Sequence, residues 1–306
     1  MQRMTADRIR IGVDLGGTKT EIIALSPQGD ELIRHRVVSP RDDYQATLET
    51  IAALVEQVES ELDATGTVGI ATPGALSNTT GRLKNSNSVW LNGQPLQQDL
   101  QITLKRQVRI ANDANCFALS EATDGAAAGA SVVFGVIVGT GTGGGVVVHG
   151  RLINGVNSIA GEWGHNPLPW ALPEELPGPP CYCGKSGCIE TYLSGPGMAS
   201  DYFTLTGSVL EAKDIVREAV AGNLNAEQTL QHYEQRMARA LASVINVLDP
   251  EVIVLGGGMS NISRLYETVP EAWCQYVFSD HVATRLVAPK FGDSSGVRGA
   301  AWLWSL

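Results

Sequence analysis

Four side chains in one short stretch make up a metal-ligand set: His165, Cys181, Cys183 and Cys188. One imidazole and three thiolates satisfy the ligand number and type of a closed tetrahedral zinc site, with no position left for a reacting water. Gly184 and Gly187 supply turns that let the thiolates converge, although Cys-x-Cys is tighter than most zinc knuckles. Two carboxylates, Glu162 and Glu190, flank the set. A metal that pins this loop would fix both, and ionised carboxylates accept hydrogen bonds from sugar hydroxyls. The stretch reads as a structural zinc brace for a polyol site. The plainer alternative is three buried cysteines and two surface carboxylates.

Two other segments resemble each other. Residues 8–13 are β-rich, followed by Asp14-Leu15-Gly16-Gly17-Thr18-Lys19 and a second β-rich run to Leu25. Residues 132–138 are β-rich, followed by Gly139-Thr140-Gly141-Thr142-Gly143-Gly144-Gly145 and Val146-Val147-Val148. Each reads as a hairpin whose glycine turn lets backbone N–H groups close on phosphate oxygens. Thr18 adds a hydroxyl donor, and Asp14 can hold a magnesium-bound water. The Walker spacing is absent, and no helix follows the first turn as a dinucleotide fingerprint requires. A third glycine turn, Gly256-Gly257-Gly258, follows a strand, opens a helix and suits the purine face of a nucleotide.

Asn112-Asp113 sits where a strand hands over to a helix. Asp113 is either a helix cap or a general base that takes the proton from an attacking hydroxyl. Beside two phosphate turns and a braced glutamate pair, the base is the stronger reading.

The intervening sequence must position these groups. Tyr44 to Leu62 is amphipathic, with Leu48, Ile51, Ala52, Val55 and Val58 on one face. Thr67 to Ala71 and Gln107 to Ala111 read as strands, residues 114–129 as a helix, and residues 171–180 as a proline-rich loop. A long helix over 226–248 stops at Asp249-Pro250, a strand covers Glu251 to Leu255, and Gly296 to Trp304 docks as a final helix. Trp302 and Trp304 read as core, whereas Trp90 and Trp163 lie near site loops and could wall a sugar pocket.

The chain has 306 residues and a net charge of −10 without a basic block, so nucleic acid and anionic membrane are not expected partners. No apolar run reaches transmembrane length, and Met1–Arg10 is too polar for a signal peptide. Of five cysteines, three lie at metal spacing, which points to a reducing cytoplasm. Cys116 and Cys274 read as buried small hydrophobes.

Taken together, Asp14-Leu15-Gly16-Gly17-Thr18, Gly139-Thr140-Gly141, Gly161-Glu162-Trp163-Gly164-His165 and Cys181-x-Cys183-Gly184-x-x-Gly187-Cys188-x-Glu190 resemble the ROK family of sugar kinases and repressors. The resemblance covers essentially the whole chain. The stretches 87–95, 164–170 and 292–302 look most like bacterial fructokinases of the mannofructokinase type. The resemblance implies an actin/hexokinase-like (ribonuclease H-like) duplicated α/β fold with ATP in an interdomain cleft. It implies a small domain of 1–115 plus 290–306, and a large domain of 116–289 carrying the zinc loop and a homodimer contact. It assigns Asp113 as catalytic base and Asn87, Asn112, Glu162, His165 and Glu190 as sugar contacts, with one ring nitrogen of His165 on zinc and the other on the sugar. The nucleotide contacts are Gly12, Asp14, Gly16, Gly17, Thr18, Lys19, Gly139, Thr140, Gly141, Gly256, Gly257 and Gly258.

The expected activity is transfer of phosphate from ATP with Mg2+ to a hexose, with D-fructose giving fructose 6-phosphate, and mannose or glucose slower. Trp90 supports this choice if its ring fills the space that a 2-acetamido group needs. The alternative is a kinase for N-acetylglucosamine or another amino sugar. A more remote one is a sugar-responsive repressor, whose family members carry a helix-turn-helix domain ahead of the first glycine loop. Thirteen residues precede Asp14 here.

Overall fold

The computed structural model describes residues 9–304. Residues 1–8 and 305–306, the ends of the expected small domain and of the polar N-terminal stretch, lie outside the described residues. The chain divides into two compact units. The first comprises residues up to Gly129, Gly150–Ala160 and Asp293 onward; the second comprises Ala130–His149 and Gly161–Gly292. The expected boundary at 115/116 falls within a helix of the first unit, and a short excursion at 150–160 rejoins that unit.

In the first unit, β1 (Arg10–Leu15), β2 (Lys19–Leu25), β3 (Glu31–Val38), β4 (Thr67–Thr72) and β7 (Val108–Asn112) form one sheet in the order β3-β2-β1-β4-β7. The first three strands are antiparallel neighbours, whereas β4 and β7 run parallel to β1. A small hairpin, β5 (Ala75–Leu76) with β6 (Leu83–Lys84), stands between β4 and the helix α2 (Leu96–Leu104). Helix α1 (Tyr44–Leu62) matches its expected bounds. Asp43 caps it by accepting from the Ala46 amide at 2.9 Å, and Leu48, Ile51, Val55 and Val58 are buried as expected. Leu54 joins that face and Ala52 lies at its edge. Helix α3 (Asp113–Thr123) ends six residues earlier than its Ala-rich sequence suggests. The C-terminal helix α9 (Ser295–Trp302) packs against β1, β4 and α3.

That packing explains Gly12. A Cβ at Gly12 would collide with the Val297 carbonyl, one at Gly69 with the Ala300 carbonyl, and one at Gly299 with the Cys116 carbonyl. Three glycines thus let α9 approach the sheet and α3 at backbone distance.

The second unit repeats the first. β8 (Val132–Val138) and β9 (Thr142–Val148) form an antiparallel hairpin, and β11 (Val252–Gly256) and β12 (Arg285–Val287) run parallel to β8, in the order β9-β8-β11-β12. The arrangement β2-β1-β4-β7 of the first unit is the same, so the fold is the duplicated α/β fold expected. Strand β9 begins at Thr142, so Gly143, Gly144 and Gly145 belong to a strand rather than to the turn. The short β10 (Arg151–Ile153) follows in the excursion. Helices α4 (Glu190–Leu193), α5 (Gly195–Thr206), α6 (Ala212–Val220), α7 (Leu224–Leu248) and α8 (Leu265–Trp273) complete the unit. Its core joins Phe134, Trp163, Tyr192, Tyr233, Met237 and Trp273. Trp163 is therefore core, its indole N–H donating to the Gly143 carbonyl at 2.9 Å. Cys116 is buried as expected, but Cys274 is exposed. Among the described residues, no helix is long and apolar enough to cross a membrane.

Candidate active site

In the first unit the turn Gly16-Gly17-Thr18 joins β1 to β2, and Gly16 N–H donates to the Lys19 carbonyl at 3.1 Å. Thr18 and Lys19 are exposed. Asp14 lies in β1 directly opposite Glu21 of β2. Glu21 is buried and ion-paired with Arg34 at 3.1 Å and with Arg36. Desolvation pushes the Asp14 carboxyl up to about 7; Asp113 and Glu21 add to this, against Lys19 and Arg36. Such a carboxyl is suited to a cation, which would offset the crowding of negative charge. One of its oxygens would lie 3.3 Å from a Cβ on Gly296, so it meets the first turn of α9.

Asp113 is not the cap of α3. Asn112 is: its carbonyl oxygen accepts from the amides of Ala114 at 2.9 Å and Asn115 at 3.4 Å. The Asn112 amide nitrogen donates to the Gly74 carbonyl at 3.2 Å. Much of the hydrogen-bonding capacity of Asn112, expected as a sugar contact, is thus spent on the scaffold. Asp113 is the first helical residue and is reached by solvent. The protein around it nonetheless raises its pKa by desolvation, which outweighs the lowering hydrogen bonds from the Ala114 amide and Asn112. A carboxyl left open while its neighbour caps the helix is free for proton transfer. Asn87 is exposed between buried Ser86 and Ser88. The Asn92 side chain clamps Ser86, accepting from its N–H at 2.8 Å and donating to its carbonyl at 2.9 Å. Ser88 Oγ lies 3.2 Å from where a Cβ on Gly17 would stand, so this loop adjoins the glycine turn.

In the second unit, the ligand atoms of His165, Cys181, Cys183 and Cys188 all lie within 4.8 Å of one another. Cys181 Sγ is 3.6 Å from His165 Nδ1, and Cys183 Sγ is 3.6 Å from Cys188 Sγ. A tetrahedron with zinc–sulfur bonds of about 2.3 Å has edges near 3.7 Å, so the spacing fits zinc. It is far too long for a disulfide. Gly184 (φ 85°) and Gly187 (φ 70°) turn the chain in left-handed conformations, as the knuckle requires. Nε2 of His165, expected to face the sugar, meets the Tyr182 hydroxyl at 2.9 Å.

Glu190 opens α4 two residues beyond Cys188, and its carboxylate accepts from the Thr142 amide at 2.9 Å. It therefore links the knuckle to the turn Gly139-Thr140-Gly141. The Gly139 carbonyl accepts from the Gly195 amide at 2.8 Å. A Cβ at Gly257 would collide with the Val138 carbonyl, which places the third glycine stretch beside this turn. Gly258 opens a short 3-10 helix, Gly258–Asn261, in place of the expected helix. Glu162 is exposed just ahead of the 3-10 turn Trp163–His165. Two expected nucleotide contacts, Gly12 and Gly256, are buried strand residues, and Gly12 serves helix packing instead.

A buried charge cluster fastens the proline-rich loop ahead of Cys181. Glu175 accepts from Arg239 at 2.7 Å and from Arg236 at 2.8 Å. Against the raising effect of burial, these hydrogen bonds hold the Glu175 carboxyl at about 2. Sequence reasoning missed Glu21, Ser39, Glu175 and Tyr182. Only Tyr182, between two cysteines, carried a local signal.

The ROK family model matches residues 10–306. The chain belongs to the ROK family. The N-acetyl-D-glucosamine kinase of Vibrio cholerae is 40% identical over 296 residues, covering 95% of this chain and 98% of that one. The N-acetyl-D-glucosamine kinase of Photobacterium profundum is 39% identical over the same span, with the same coverage. The crystal structure of a ROK hexokinase from Thermus thermophilus superposes with a TM-score of 0.85 at 31% identity, covering 96% of both chains. A ROK family glucokinase from Streptomyces griseus, in complex with glucose and AMPPNP, superposes with a TM-score of 0.74 at 26% identity, covering 96% of this chain and 98% of that one.

These relatives overturn the expectation of a fructokinase, because the two that are 39% and 40% identical over 95% of this chain are N-acetyl-D-glucosamine kinases. The structure removes the physical support for that expectation as well. Trp90 packs against the core of the first unit and its indole nitrogen is buried, so the ring is part of the scaffold rather than a wall against an acetamido group.

Proposed function

We propose that this protein transfers the γ-phosphoryl group of ATP to the 6-hydroxyl of N-acetyl-D-glucosamine. The observation that carries the reading is similarity to N-acetyl-D-glucosamine kinases over 95% of the chain. The chemistry of the site agrees with it. In this reading Asp113 accepts the proton of the attacking hydroxyl, and its elevated pKa brings it closer to neutral pH, where a general base works best. Amides of the turns at 17–19 and 140–141 hold phosphate oxygens, and Thr18 and Lys19 add a hydroxyl and a positive charge. Asp14 would hold Mg2+, directly or through a bound water, and the ion would neutralise charge on the phosphates. Positioning and charge stabilisation make up most of what phosphoryl transfer requires.

Glu162, Glu190 and Asn87 bind sugar hydroxyls, and Asn112 contributes what its amide has left. The Tyr182 hydroxyl stands where a sugar hydroxyl would meet His165 Nε2. His165, Cys181, Cys183 and Cys188 would hold a structural zinc ion, which would keep the knuckle rigid and present Glu190 and His165 in fixed positions. A homodimer in a reducing cytoplasm belongs to this reading. The exposed Trp170, just ahead of the proline-rich loop, and Leu172 and Leu176 within it are apolar surface of the kind such a contact covers.

The test is product identity. Protein incubated with ATP, Mg2+ and N-acetyl-D-glucosamine should release ADP in step with N-acetyl-D-glucosamine 6-phosphate, assigned by phosphorus and proton NMR. Phosphate on another hydroxyl, or none above a protein-free control, would refute the proposal.

A further inference from the structure

Ser39 follows the exposed strand β3 and is itself buried beneath the first glycine turn. Its hydroxyl donates to the Gly16 carbonyl at 2.7 Å, and its own N–H donates to the Thr18 carbonyl at 3.1 Å. The Thr20 side chain, fully buried, lies 2.8 Å from Ser39 Oγ. Because the Ser39 proton is directed at Gly16, Thr20 is the donor in that contact. The result is a short buried relay, from the Thr20 hydroxyl to Ser39 Oγ and from Ser39 to the turn.

The consequence follows from peptide planarity. In a trans peptide the C=O and the following N–H point in opposite directions. Holding the Gly16 carbonyl toward Ser39 turns the Gly17 N–H away from it. Holding the Thr18 carbonyl toward Ser39 does the same to the Lys19 N–H. Glycine-rich turns are otherwise free to flip such peptide planes. We propose that Ser39 is a positioning residue, which orients the Gly17 and Lys19 amides of the first glycine turn toward a nucleotide phosphate while touching none of it. The second hairpin carries a parallel device. There the Gly139 carbonyl is held by the Gly195 N–H at 2.8 Å, which orients the Thr140 amide in the same manner. In the first turn the corresponding donor is a side chain, so it can be removed by substitution.

This inference rests on the reading of that turn as a phosphate site. Its test compares the parent, Ser39→Ala and Thr20→Val. Loss of one net hydrogen bond that pre-orders a binding turn corresponds to roughly a five- to tenfold loss of affinity. Ser39→Ala should raise KM for ATP by about that factor. It should raise the Kd of a non-hydrolysable ATP analogue, measured by calorimetry, to the same extent. KM for the sugar should stay within about twofold. Thr20→Val, which keeps shape but removes the relay donor, should give about a two- to threefold change in the same direction. It carries the test if Ser39→Ala does not fold. An unchanged Kd for the ATP analogue in folded variants overturns the proposal. So does a parallel rise in the sugar and ATP constants, which would mark Ser39 as a general core hydrogen bond. A parent protein that neither binds the analogue nor releases ADP would instead remove the kinase reading itself.

Discussion

The turn at Gly16-Gly17-Thr18 and the turn at Gly139-Thr140-Gly141 close hairpins at the same place in two copies of one strand arrangement. Their surroundings differ. One pair in from the first turn stands Asp14 opposite Glu21; the matching pair in the second hairpin is Ile137 opposite Gly143. The first copy therefore gathers charge under its turn, and the second carries apolar and small residues there. The carboxylates of the two units behave accordingly. Asp14 is pushed up to about 7 by burial and by like-charged neighbours, whereas Glu175 is held at about 2 by two arginines. The contrast lies between particular carboxyls: Asp14 and Asp113 of the first unit are left short of compensation, whereas Glu175 of the second is spent on rigidity. A group left under-compensated is available for a cation or a proton, while a satisfied one is scaffold.

The largest expected effect concerns the anchor of the second unit. The purified protein should contain one zinc per chain by elemental analysis, and Cys188→Ser should contain none. Structural zinc contributes on the order of 10 kcal/mol to folding in small zinc-finger peptides. Here the knuckle is one part of a larger unit, so the expected result is a clear drop in thermal midpoint with weaker sugar binding. Metal-free protein from a chelator-free preparation would mean that the second unit is rigid for some other reason. Next in size is Asp113→Asn, expected to lower kcat by about 10²–10⁴-fold while leaving the sugar Kd near that of the parent. Near-parent turnover would move Asp113 from chemistry to scaffold and erase its contrast with Glu175.

Opposite pH dependences of stability sharpen the comparison further. A carboxyl with a raised folded pKa binds more protons in the native state. Asp14 therefore costs stability increasingly as pH rises from about 4 to about 7. A carboxyl with a depressed pKa does the reverse. The contribution of Glu175 is complete above its unfolded pKa and is lost as pH falls from there toward 2. Glu175→Gln should cost about 3–5 kcal/mol at neutral pH, because it leaves two buried arginines short of a partner. Asp14→Asn, without nucleotide or Mg2+, should stabilise the protein at pH 8 by on the order of 2 kcal/mol, and hardly at all at pH 4. Denaturant titrations at the two pH values check both. A destabilised Asp14→Asn at pH 8 would show that this carboxyl is compensated after all.

Much of this was legible in the sequence, for identifiable reasons. Helix α1 and the long helix α7 announce themselves by apolar periodicity and by their caps, and the strands by short apolar runs ending at turn residues. The knuckle was legible because its ligands are close in sequence. Strand β3 was not, since Glu31-Leu32-Ile33-Arg34-His35-Arg36 lies at a sheet edge with little burial to enforce alternation. Ser39 follows β3, so without that strand the underside of the Gly16-Gly17-Thr18 turn is not legible either. Gly12 was drawn into the nucleotide set by its nearness to Gly16, although the reason for it is a helix at the far end of the chain. The pairing of Glu175 with Arg236 and Arg239 joins a loop to a distant helix, and no local pattern encodes it. Trp90 lies near a site loop in sequence, but its ring joins the core, because nearness along the chain does not decide which way an aromatic ring faces.

The proposed activity is that of an N-acetyl-D-glucosamine kinase. The most direct measurement is kcat/KM by coupled ADP release, with N-acetyl-D-glucosamine, glucose, mannose and fructose assayed at the same ATP and Mg2+ concentrations. N-acetyl-D-glucosamine is expected to give the highest value, at least tenfold above fructose, a margin of about 1.4 kcal/mol in transition-state binding. A value for fructose equal to or above that for N-acetyl-D-glucosamine would contradict the claim.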